Sequence, residues 1–101
     1  MNQYNEQGEK HGPWKEYYSN GKSYWKGNYV NGNRHGLYEY YSYGKLYFKG
    51  NYVNGNEHGL YVEYHDNGNL LYRENHINGE LHGLQEVYYS NGNLNFKTYY
   101  L

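Results

Sequence analysis

Short runs rich in Tyr, Trp, Phe and Val alternate with glycine-centred breaks along this chain. Counting from Gly21, Gly44, Gly68 and Gly92, the second position holds Ser23, Leu46, Leu70 and Leu94. The fourth holds Trp25, Phe48, Tyr72 and Phe96, and the eighth holds Tyr29, Tyr52, His76 and Tyr100. These positions share parity and are mostly apolar, so they should line one face of a strand. The sixth position holds Gly27, Gly50, Glu74 and Thr98. A glycine between large rings points to a bend or to close packing across a ring. Aromatic and β-branched residues favour strands. The pattern predicts strands throughout and no helix.

The runs repeat. His-Gly recurs at His11-Gly12, His35-Gly36, His58-Gly59 and His82-Gly83, and a further glycine series runs Gly32, Gly55, Gly79, all in steps of 23 or 24. A fixed period outranks other signals, because each repeat is one supersecondary unit that buries its apolar face only by stacking on its neighbours. Each full unit carries two breaks, such as Asn20-Gly21 and Asn31-Gly32; in the second unit Tyr43-Gly44 takes the first place and Asn54-Gly55 the second. Asn-Gly is a strong hairpin signal, because both residues tolerate positive φ.

The expected fold is all-β: an elongated, single-layer antiparallel meander of about eight short strands, built from β-hairpin repeats of 23–24 residues in one domain. The units run approximately 12–35, 36–58, 59–82 and 83–101, with 1–11 a degenerate partial unit in which Gly8, Lys10 and His11 match Gly32, Arg34 and His35. The second unit is one residue shorter between Gly36 and Gly44.

The opposite parity predicts a second, wetter face. Lys26, Lys49, Arg73 and Lys97 form a basic stripe with one charge per repeat. Beside it come Tyr24 and Tyr47, and the preceding strand offers Tyr17, Tyr40, Tyr64 and Tyr88 as one file. Glu16, Glu39 and Glu63 read as an acidic file. With two-residue turns Tyr17 faces Tyr24 and Lys15 faces Lys26, whereas a bulge would reverse such assignments. The pattern leaves open which tyrosine file is buried. One aromatic face should curl and close on itself, since a flat exposed one would aggregate.

Composition narrows the picture. The 101 residues include 18 Tyr and 14 Gly but few aliphatics, so any core is built of rings. The net charge of -1 gives no strong drive toward nucleic acid, which is disfavoured as a partner. No cysteine is present, which removes disulfides and thiolate chemistry. The N-terminus lacks an apolar leader and no segment is apolar enough to span a bilayer, so a cytoplasmic location is expected.

Catalytic chemistry finds little support. His11, His35, His58 and His82 lie one hairpin apart, about 9–10 Å, too far for adjacent ones to share a metal ion. They read as turn decoration, hydrogen-bonded to backbone. Asp66 reads as a turn former. No nucleophile elbow or phosphate-binding loop occurs, and a sheet surface offers no enclosed cleft for tuning a carboxylate. The expectations are therefore no enzyme, no cofactor and no metal.

The stretches Gly12–Lys22, Lys26–Asn33, Lys49–Asn56 and Gly59–Leu70 resemble MORN repeats, and more closely their bacterial and phage variants. The shortened second unit and Glu74-Asn75-His76 depart from that pattern. The resemblance implies an elongated sheet of hairpins. Its short bacterial members carry antitoxin or immunity-like labels, and eukaryotic relatives scaffold proteins. The expected function is a protein-binding module, an inhibitor of antitoxin or immunity type among its forms. Tyr17, Tyr24, Tyr40, Tyr47, Tyr64 and Tyr88 are the candidate contact residues, with Lys26, Lys49, Arg73 and Lys97 orienting the partner. Two alternatives stand beside it. One is sequestration of a small nucleotide or other anion by the Tyr and Lys face. The other is a homodimer or homo-oligomer, formed through that face or through the apolar C-terminal edge, Asn93 to Leu101.

Overall fold

The computed structural model describes residues 2–100. Leu101, the last residue of the expected edge, lies outside them. Twelve strands follow in chain order: β1 Gln3–Tyr4, β2 Lys10–Tyr17, β3 Ser23–Val30, β4 Asn33–Arg34, β5 Gly36–Ser42, β6 Lys45–Val53, β7 Asn56–Glu57, β8 Gly59–Tyr64, β9 Leu70–Ile77, β10 Glu80–Leu81, β11 Gly83–Tyr88 and β12 Leu94–Tyr100. No helix occurs among the described residues. The expected eight strands are the six- to nine-residue ones, and the count is raised by two-residue strands. All belong to one open antiparallel sheet, in the order β1-β2-β3-β5-β6-β8-β9-β11-β12, with β4, β7 and β10 folded back on β3, β6 and β9.

The two breaks in each unit are built differently. Asn31-Gly32, Asn54-Gly55 and Asn78-Gly79 are two-residue turns with positive φ at both residues. Tyr43-Gly44 is the same, at +52° and +81°. Asn20-Gly21 departs from the two-residue expectation: only Gly21 has positive φ, and Tyr18 to Lys22 lie outside the strands. The Asn20 carboxamide oxygen accepts from the amides of Lys22 and Ser23, so the side chain organises a longer loop. The missing residue of the second unit is thus taken from this loop.

That difference changes the alignment of the repeats. Register places Glu16 beside Trp25, Tyr40 beside Phe48 and Glu63 beside Tyr72. Tyr40 therefore occupies the place of Glu16 and Glu63, while Glu39 faces the other side. Neither the acidic file nor the tyrosine file survives as read from the turn glycines. Counted from His-Gly, the tyrosine file is Tyr17, Tyr41, Tyr64 and Tyr88. Because side chains alternate, the one-residue deletion exchanges faces.

The buried face is the one expected in the first three units, whereas Leu94 and Phe96 of the fourth, on the edge strand, are 46% and 50% exposed. Trp14, Trp25, Tyr29 and Tyr38 form the centre of that face, flanked by Tyr40, Phe48, Tyr52 and Tyr61. The sheet does not curl closed: it is 48 × 35 × 15 Å and open. Its rings cover it instead. Trp25 lies over Gly27, and Tyr38 lies over Gly50. A ring laid on a glycine buries both without a second layer.

Candidate binding faces

The basic stripe is part of a longer row. Cross-strand register runs without a break through Lys15, Lys26, Glu39, Lys49, Val62, Arg73, Glu86 and Lys97, one residue from each of the eight long strands. All four predicted basic residues lie on it. The expected pairing of Lys15 with Lys26 is present, whereas strand periodicity within a repeat hid Glu39 and Glu86, because their membership depends on pairing between strands. The row holds five cations and two carboxylates on a chain of net charge -1. Lys26 reaches Glu39 at 3.5 Å, and Arg73 donates to Glu86 at 2.6 Å. That bond holds the Glu86 carboxyl below the usual carboxylate range.

The predicted tyrosines divide. Tyr17 and Tyr24 pair beside the row, with ring centres 5.5 Å apart, and Tyr24 stacks on Tyr41 at 5.0 Å. Lys15 lies 4.2 Å above the Tyr24 ring. Tyr17 is 60% exposed. Tyr40 is on the opposite face, stacked on Phe48 at 4.9 Å. The structure does not bring it together with Tyr17. Tyr47 is the extra residue of a bulge opposite Tyr40 and Tyr41, and its ring turns edge-on to Tyr40 at 6.1 Å. Tyr64 and Tyr47 line a recess of ≈ 880 Å³ between the turns of the second and third units, together with Tyr43, Leu46 and His65. This recess lies where the short turn Tyr43-Gly44 stands beside the longer loop at Asp66-Asn67-Gly68. Tyr88 is half-buried, and its carbonyl is 2.9 Å from the His65 Nε2. Tyr41, which is not among the predicted contact residues, belongs with Tyr17 and Tyr24.

Two of the four repeated histidines tie units together through their rings, whereas His58 Nδ1 is buried without a partner among the described residues. The amides of Asn31 and Asn54 donate to the Nδ1 atoms of His11 and His35, at 3.3 and 3.4 Å. These are the backbone hydrogen bonds expected of turn histidines. Among the described residues no group of three His, Asp or Glu side chains is placed to hold a metal ion.

The aromatic face carries carboxylates of its own. Tyr38 donates to Glu57, and Tyr61 and Tyr72 donate to Glu63 at 2.7 and 3.2 Å. His76 sits where other units have tyrosine, with Nε2 3.5 Å from Glu57 and 3.2 Å from Glu74. Burial, followed by the neighbouring carboxylates Glu63 and Glu74, pushes the Tyr72 hydroxyl up to about 12. Burial and a bonded carboxylate raise Tyr38 and Tyr61 still further.

One layer of antiparallel hairpins, a ring-covered face and a row of charges on the other define a β-hairpin repeat protein with surfaces rather than a cleft. The family model described as MORN repeat variant matches residues 10–31, 57–78 and 81–101, more than half of the chain, and the chain belongs to this family. The unmatched stretch between 31 and 57 contains the shortened arm. Repeats of this kind generally serve binding to proteins or membranes. No curated protein matches the chain. No helix among the described residues is long and apolar enough to cross a membrane.

Proposed function

We propose that this chain is a protein-binding module, without catalytic activity, whose basic row and adjoining tyrosines engage an acidic surface of a partner. The observation that carries the reading is the row itself: five cations against two carboxylates, one residue from each of the eight long strands, beside the Tyr17–Tyr24–Tyr41 ladder. Exposed rings and fixed cations supply contact area and orientation at little entropic cost. The finer form of the reading is an inhibitor of antitoxin or immunity type, which covers its partner with one preformed face.

A second reading has one observation in its favour. Among the described residues, Lys49 and Lys97 have no carboxylate at ion-pair distance. They are cations free to meet a small anion such as a nucleotide.

Affinity capture from host lysate, read by native mass spectrometry, tests both. The wild type and Lys22→Glu, a change away from the row, are expected to retain a protein at fixed stoichiometry. Lys49→Glu combined with Lys97→Glu is expected to lose it. Retention by the double variant overturns the role of the row. A co-purifying mass of a few hundred daltons, with no protein, replaces the first reading with the second.

A further inference from the structure

The aromatic face has a charge pattern of its own. In the partial first hairpin, Lys10 stands 4.6 Å from the ring centre of Trp14 and 5.0 Å from that of Tyr29, with Glu16 at 3.4 Å. One hairpin on, Arg34 stands 4.7 Å from Trp25 and 5.7 Å from Tyr52, and donates to the hydroxyls of Tyr29 and Tyr52 at 3.4 Å each. The next equivalent residue is Glu57. Register makes the three equivalent, since Lys10, Arg34 and Glu57 pair with Tyr4, Tyr29 and Tyr52.

The rings continue where the cations stop. Phe48, Tyr61 and Tyr72 follow one another with centres 5.8 Å apart. Glu63 stands where the first unit has Glu16, and Glu74 stands where the first two have Gly27 and Gly50. The third hairpin therefore has the rings of the others, three carboxylates and no Lys or Arg in the cation's place. A groove of ≈ 410 Å³ opens over these rings, and Arg34 is the single basic residue among those described as lining it. The side chains of Glu57 and Glu74 are 29% and 12% exposed, enough removed from water to strengthen their attraction for a cation. His76 and Arg34 together balance at most two of the three carboxylates.

We propose that this groove binds the guanidinium of an arginine presented by an extended basic segment of a partner protein. A guanidinium stacks on rings and donates to carboxylates along its edge, which an ammonium does less well. Arg34 makes the same kind of ring contact within the chain. The groove is open along its length, which suits a side chain arriving on a peptide. The proposal is independent of the basic row, which is on the opposite face.

The test is titration of the full chain, followed by calorimetry and by amide and ring NMR shifts. The probes are acetyl-Gly-Arg-Gly-Arg-Gly-amide and the same peptide with citrulline, which keeps the shape and removes the charge. The arginine peptide is expected to bind at least about tenfold more tightly, shifting Phe48, Tyr61 and Tyr72. Glu57→Gln is expected to weaken it about tenfold, while Lys22→Gln leaves it unchanged. Phe48→Leu keeps every carboxylate and is expected to weaken it about threefold, so the proposal stays testable should Glu57→Gln unfold. Equal affinity for the citrulline peptide, shifts confined to the opposite face, or indifference to both variants would overturn the proposal. Tetramethylammonium binding as tightly as the arginine peptide would overturn it too, and would assign the groove to small quaternary amines.

Discussion

The ring of Tyr38 lies across Gly50 of the neighbouring strand, so closely that a β-carbon there would stand 2.6 Å from the tyrosine oxygen and 2.8 Å from its ring. Gly50 is buried in the middle of β6, where its role is to make room. Gly50→Ala is expected to cost about 1–3 kcal/mol by overpacking. Chemical denaturation measures it. A cost below about 0.5 kcal/mol would show that Tyr38 can lift away, and the ring cover would not be a stability element.

Tyr40 and Tyr17 are neighbours in a sequence alignment and opposites in the fold. Tyr40→Ala removes a ring stacked on Phe48 and is expected to cost about 2–3 kcal/mol. Tyr17→Ala touches an exposed ring and is expected to cost less than about 1 kcal/mol. Equilibrium unfolding of both variants checks the difference. Equal costs would mean that face assignment does not govern stability here.

Tyr43 holds φ at +52° in a two-residue turn and is 66% exposed. A tyrosine in that region is strained, and little packing compensates for it. Tyr43→Asn is expected to stabilise by about 1 kcal/mol, raising Tm by about 4–8 °C. A lower Tm would indicate that the ring's place in the recess with Tyr47 and Tyr64 outweighs the strain.

Stability should fall in alkali in a defined window. Tyr72 has its folded pKa raised from 10.0 to about 12. Below the unfolded value both states are protonated and the contribution is complete. Between the two values the unfolded chain releases the proton and the folded chain retains it, so stability is lost as pH rises. Circular dichroism from pH 9 to 12 should show that loss, and Tyr72→Phe should reduce its slope. An unchanged slope would show that the Tyr72 hydroxyl ionises freely in the fold.

The repeat, the all-β class and the apolar face were legible in the residues themselves. Strand parity is local, and Trp25, Phe48, Tyr72 and Tyr29, Tyr52, Tyr100 kept their expected side because the arm after each turn glycine has the same length in every unit. The arm before it does not. Tyr40 and Glu39 were misfiled, and Tyr41 was passed over, because the second unit lost its residue from the loop rather than from the strand. A strand carries no mark of which end has been shortened.

The sequence by itself thus determined periodicity, strand content and the residues able to pack on glycine, all of which follow from φ preferences and side-chain alternation along one strand. Only the tertiary structure decided which strands meet and in what register. Pairing made one row of Lys15, Lys26, Glu39, Lys49, Val62, Arg73, Glu86 and Lys97, and gathered Glu57, Glu63 and Glu74 around the rings of the third hairpin. Neighbours across a sheet are separated by a whole arm of chain, so their charges meet only after hydrogen bonding between strands has set the register.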